Sequence, residues 1–219
     1  MSNPDSFIDE VTEEVRRDRL FAAFRKYGWI GVVLVVLIVG GAGWREWSSL
    51  QATARAEAFG DSVLDALDLG APADRRAALA AAPAAGAQLA IRQLLLASDP
   101  TEDKPGTLAA LDALAADASQ PQIYRDLAVL RRISVAGTEM PLADRRAALE
   151  GIAVAGRPFR TLAQEQLAYL LIEEGKKAEA IAAFTALLQD QEAPGGLRQR
   201  VGQMITAMGG TLPAAPDAG

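Results

Sequence analysis

The sequence predicts an all-α chain in which one membrane-crossing helix is followed by a stack of helix hairpins. Three observations predict it. Half of the 219 residues are apolar and only 5% are aromatic, with Ala and Leu dominant, a composition that favours closely packed helices over sheet. The run YGWIGVVLVVLIVGGAGW between Lys26 and Arg45 carries no charge. The stretch PADRRAAL at 72–79 returns as PLADRRAAL at 141–149, a displacement of 70 residues, about twice a period of 34–35 residues. A chain of this length can bury one ordinary domain and still supply a membrane segment and tails.

Residues 1–27 read as an amphipathic arm. Phe7, Ile8, Val11 and Val15 share one helical stripe, and Leu20, Phe21 and Phe24 share a second, slightly rotated one. Residues 28–47 are the transmembrane helix. From Trp29 to Trp47 it rises about 28 Å, close to the roughly 30 Å of the hydrocarbon layer. Tyr27 and Trp29 mark one membrane interface and Trp44 and Trp47 the other, where amphipathic rings settle at the headgroup level.

Gly41 and Gly43 are small enough to precede a cleavage site, but the segment before the span is long, acidic at its start and helical in pattern. A signal peptide opens with a short basic region instead, so an uncleaved anchor is expected. Arg16, Arg17, Arg19, Arg25 and Lys26 precede the span closely, whereas only Arg45 and Arg55 follow nearby. By the positive-inside rule the N-terminus stays in the cytoplasm and the rest is exported. In a bacterium this makes a single-pass inner-membrane protein with a periplasmic C-terminal domain. Arg25 and Lys26 sit at the inner interface, where a basic side chain near anionic headgroups gains about 1 kcal/mol.

Residues 48–70 continue as a helical stalk that ends at Gly70. Residues 71–210 are the repeat domain. With a 35-residue period, copies should start near 72, 106, 141 and 176, and PGTLAALDALAAD and KKAEAIAAFTALLQ do stand at the starts near 106 and 176. Between them lie AQLAIRQLLLAS, PQIYRDLAVLRRISVAG and RPFRTLAQEQLAYLLIEEG, so helices alternate with Gly, Pro and Ser breaks. Each hairpin needs its neighbour to cover its apolar face. LRQRVGQMITAMGG reads as a closing helix, and the Pro- and Ala-rich residues 211–219 as a disordered tail.

Histidine and cysteine are absent, which removes Cys/His zinc sites, thiol nucleophiles, histidine-dependent triads and iron–sulfur ligands. No Gly-rich phosphate loop is present: GGAG lies inside the apolar run, and APGG lacks a following Lys-Ser or Lys-Thr. Asp and Glu occur at helical spacing among Arg and Ala, as on a solvated face, with no spacing that announces a carboxylate pair. The expectation is therefore no enzyme, no cofactor and no metal. Residues 45–219 carry 17 basic and 22 acidic side chains, a net −5, which disfavours nucleic acid as a partner.

LAQEQLAYLLIEEGKKAEAIAAFTALLQ, residues 162–189, resembles a tetratricopeptide repeat: Leu167 and Ala168 stand at the packing pair, Gly175 in the turn, and Ala180, Phe184 and Leu187 on the second helix. The fold class is then a tetratricopeptide-like α-solenoid behind a transmembrane helix. Joined to the charged arm, RKYGW, one span and GWREW, the chain resembles the family of ancillary Sec translocon subunits. That resemblance implies a membrane-anchored scaffold whose partners are the Sec translocon, periplasmic chaperones and exported clients. It supplies no binding residues. With Leu167 and Ala168 assigned to packing, the opposite stripe of the helix near 159–174 falls on Glu165, Tyr169 and Ile172, the expected partner contact, with the Tyr169 phenol at its centre. Packing of Tyr169 on the neighbouring hairpin is the competing reading. At the level of function the alternative is an envelope sensor that holds a cytoplasmic regulator through its arm.

Overall fold

The computed structural model describes residues 4–212, with side chains from Trp29 onward except Val32. Every regular element among the described residues is helical. The chain falls into two compact units that divide between Ala58 and Phe59.

The first unit is made by helix α1, Pro4–Leu67, whose last turns belong to the second unit. α1 contains the stretch that is long and apolar enough to cross a membrane. Its described side chains from Trp29 to Leu50 are all exposed. Leucine, valine and isoleucine left open on every side of a helix suit a lipid surrounding rather than water. Trp44 and Trp47, one turn apart, bring their ring centroids to 5.3 Å. The side chains of Arg25, Lys26 and Tyr27, and those of the expected arm, lie outside the described residues, as do residues 213–219 of the expected tail.

The second unit begins inside the expected stalk. Phe59 and Ala66, two turns apart on one face, are buried, so the end of α1 is part of the domain rather than a free spacer. Eight helices follow: α2 (Pro72–Ala81), α3 (Gln88–Leu96), α4 (Lys104–Ala116), α5 (Gln122–Ala136), α6 (Leu142–Glu150), α7 (Arg160–Glu173), α8 (Lys177–Gln189) and α9 (Gly195–Ala207). Helices thus begin at Pro72, Lys104, Leu142 and Lys177, beside the four starts that the period gives. Local chemistry sets several of these boundaries. Pro121, Pro141 and Pro194 stand in extended conformation just before α5, α6 and α9, since proline cannot continue a preceding helix but tolerates the start of the next. Asp103 caps α4 by accepting from the Gly106 N–H at 2.9 Å. Between α7 and α8, Gly175 takes φ +77° while its N–H and that of Lys176 bond back to Ile172 and Leu171, a close that glycine adopts at little cost.

Side-chain pairings show that successive helices run antiparallel. Lys104 pairs with Glu139 beyond the end of α5, while Asp112 near the end of α4 pairs with Arg132. Arg76 and Arg92 bond to the backbone of Leu96 and Ala82 across α2 and α3. From α2 to α9 each helix packs chiefly on its neighbours in this series. The core is correspondingly a series. One cluster joins α3, α4 and α5 around Leu111 and Leu114; a second joins α5, α6 and α7 around Ile133, Leu149 and Leu170; a third joins α7, α8 and α9 around Phe184, Leu197 and Val201.

Phe184 is fully buried, and the Tyr169 ring meets it edge-on at 5.3 Å. Phe184→Ala is expected to lower the unfolding free energy of a fragment starting at Phe59 by about 3–5 kcal/mol, the usual cost of deleting a buried ring. A urea titration followed by far-ultraviolet circular dichroism measures it, and a loss below about 1 kcal/mol would contradict the burial.

Candidate functional site

The stripe expected to meet a partner lies on α7, and the structure divides its three residues between different tasks. Glu165 is only 2% exposed. Its two carboxylate oxygens accept from Arg200 of α9 at 3.1 and 2.8 Å. Tyr169 is half-buried against Phe184, and Ile172 alone is exposed. A free acidic contact at Glu165 is therefore corrected: α9, which closes the domain, covers this face. The physical reason is that a carboxylate buried beside α9 must be paired, and Arg200 supplies two parallel N–H donors in the matching plane. Burial pushes the Tyr169 phenol above its ordinary range, and the Glu165 carboxylate beside it adds to the shift.

The opposite side of α7 is the more open one. Leu167 packs toward the α5–α6–α7 cluster, yet together with Gln164 and Leu171 it also lines a groove of about 350 Å³ between α6 and α8. Ala183, Ala186 and Leu187 form the α8 wall, and Arg146, Glu150, Arg160 and Asp190 stand at its edges. Most of the edge charges are engaged. Arg146 pairs with Glu174, and Arg160 pairs with Asp190 and Glu192. A helix assigned to packing by its motif residues thus presents those residues partly to an open groove, because α6 and α8 flank α7 without closing over it.

Elsewhere on α6, Arg145 is buried and donates to both oxygens of Glu173 at 2.7 and 2.5 Å, while its Nε bonds the Met140 carbonyl at 3.1 Å. The Arg145 guanidinium holds the Glu173 carboxyl below its ordinary value of 4.5, against the opposing effect of burial. Arg146, then Lys176, do the same for Glu174. Asp190 is lowered first by the Glu192 backbone N–H and next by Arg160. Chemically the surface offers apolar contact and paired charge. Among the described residues no group of three or more acidic side chains stands where it could hold a metal ion. Comparison with known protein families, with curated proteins and with solved structures finds no match.

Two predictions follow from these pairings. A carboxyl group lowered in the folded state contributes stability that is complete above its unfolded value and is lost as pH falls through the folded one. The thermal midpoint should therefore be level from pH 7 to about 5.5 and decline below the ordinary glutamate value of 4.5. The double variant Glu173→Gln, Glu174→Gln should start lower at pH 7 and show a shallower acid decline; parallel curves for the two proteins would contradict the assignment. Separately, Arg200→Ala leaves Glu165 buried without its partner and should cost about 1–3 kcal/mol, tempered by the half-open position of Arg200. Glu165→Gln should cost less in the same urea titration, since a neutral amide is easier to bury.

Proposed function

We propose that this chain is a membrane-anchored protein-interaction scaffold whose tetratricopeptide-like domain is exported and whose N-terminus remains in the cytoplasm. One observation carries the reading. A helix with exposed apolar side chains on every side precedes a domain in which each helix packs on its sequence neighbours, an architecture that exposes long faces and grooves to partners. The basic residues on the N-terminal side of the span support the orientation. The turn at Gly175, with Ala168, Ala180 and Phe184 fully buried about it, supports the tetratricopeptide-like assignment of α7 and α8.

In this reading binding, not catalysis, is the task. The plan of arm, span and repeat domain points to a place beside the Sec translocon of a bacterial inner membrane, passing exported proteins to periplasmic chaperones. The groove between α6 and α8 is the surface best suited to a client, since it combines an apolar floor with charged edges that fix register.

Two measurements test it together. A periplasm-dependent reporter fused after Gly219 should be active, and the mature protein should retain its N-terminal arm. Chemical crosslinking of intact membranes followed by mass spectrometry should recover translocon subunits, periplasmic chaperones or exported proteins. A reporter active only in the cytoplasm overturns the topology, and crosslinks confined to lipid-synthesis or transport enzymes overturn the role.

A further inference from the structure

The repeated stretch meets different surroundings in its two copies. In LADRRAAL at 142–149, Arg145 holds Glu173 with both terminal nitrogens and Arg146 holds Glu174. Both carboxylates come from the end of the next helix, α7, which is 14 residues long. In PADRRAAL at 72–79, Arg76 matches Arg146 and is engaged: its Nε lies 3.1 Å from Asp103 and it donates to the Leu96 carbonyl at 3.2 Å. Gly106 makes room for this arrangement, since a Cβ there would lie 2.1 Å from an Arg76 nitrogen.

Arg75 matches Arg145 and has no ion pair among the described residues. Its Nε is buried without an acceptor. The helix that follows, α3, is only nine residues long and ends on Leu95 and Leu96, so no carboxylate from its own hairpin reaches Arg75. Instead Arg75 lines an open groove of about 340 Å³ floored by Leu79, Leu95 and Leu96. Of the three acidic groups on the rim, one is committed to an ion pair. Asp99 accepts from the Thr101 hydroxyl at 2.9 Å and Asp103 serves Arg76 and the α4 cap. Glu102 is exposed and makes no ion pair among the described residues.

We infer that the groove between α2 and α3 receives a glutamate side chain from an extended segment of a partner protein, with the carboxylate on Arg75 and an adjacent apolar side chain on Leu79, Leu95 and Leu96. The inference rests on the reading that this domain binds protein segments, and it names the chemistry of one of them. Among the described residues no acceptor engages the Arg75 guanidinium, and a carboxylate entering the groove can meet its two terminal nitrogens through parallel, charge-assisted bonds. In the second copy of the same stretch Glu173 takes the two terminal nitrogens of Arg145, while the Met140 carbonyl takes its Nε. The groove is too small for another helix, about 10–12 Å across with its side chains, and suits an extended segment.

The test uses the full chain in detergent micelles and a fluorescein-labelled, C-terminally amidated peptide Leu-Ile-Glu-Glu-Gly, the order found at 171–175. Measured by fluorescence polarisation, it should bind at least about tenfold more tightly than the Leu-Ile-Gln-Gln-Gly analogue. Arg75→Gln should abolish that preference, and Arg75→Lys should keep part of it, because lysine retains the charge but not the planar fork. Equal affinities for the two peptides, the absence of saturable binding, or a preference that survives Arg75→Gln would each overturn the inference. Should Arg75→Gln lose its helical signal, the comparison of the two peptides on the unaltered protein decides alone. Equal peptide affinities with the membrane crosslinks intact retire only the carboxylate assignment; loss of the crosslinks to exported or translocon proteins retires the scaffold reading itself.

Discussion

Six fully buried alanines set the helix spacing on which the domain depends. Ala90 and Ala97 of the α3 hairpin, Ala128 of α5, Ala163 and Ala168 of α7 and Ala180 of α8 have no exposed surface. A methyl group at a crossing lets two helix backbones approach closely, at the short end of the usual 8–10 Å separation. The larger side chains then lodge beside these crossings: Leu111 and Leu114 near Ala128, Leu149 near Ala163, and Phe184 near Ala168 and Ala180. Close packing of this kind leaves little tolerance in volume. At the end of the domain the same tightness excludes even a methyl group, since a Cβ on Gly210 would lie 2.9 Å from Ile205 and 3.1 Å from Ile181.

A second layer of order comes from arginine. Arg145–Glu173, Arg157–Asp126, Arg160–Glu192 and Arg200–Glu165 all join residues 28 to 35 positions apart in sequence. Apolar clusters in a helical series are similar to one another and permit sliding, whereas a planar guanidinium meeting a carboxylate has one good geometry. Asp126 illustrates the cost of such order. It is fully buried, with one oxygen shared by Gln122 and Arg157 and the other without a protein partner. Paired burial of this kind contributes register more than stability.

The two units carry different side-chain patterns. Apolar side chains of α1 from Trp29 to Leu50 are open all round, whereas Phe59 and Ala66 of the same helix turn inward to the domain. One helix thus carries two patterns in succession, an apolar stretch long enough to cross a membrane and a one-sided pattern that packs into a protein core. For binding, the consequence is a domain whose closing helix, α9, is committed to Glu165 and Phe184, while the sides of α7 and α2 away from the clusters stay open.

The sequence by itself determined what depends on short range. The all-helical class, the apolar span, the helix starts near 72, 106, 141 and 176, and the turn at Gly175 were legible because proline, glycine and hydrophobic period act within a few residues. Phe184 was legible as core for the same reason. The burial of the α7 stripe expected to meet a partner was not. Glu165, Tyr169 and Ile172 do share a face by helical spacing, but whether that face is open depends on where α9 lies, and the spacing within α7 holds no record of it. The one available signal was Arg200, a basic residue 35 positions beyond Glu165 and so one period away. Likewise, two identical arginine pairs at 75–76 and 145–146 look equivalent in sequence. Only the tertiary structure decided that Arg145 meets a carboxylate and Arg75 does not, because the helix after each pair differs in length and brings different side chains back across it.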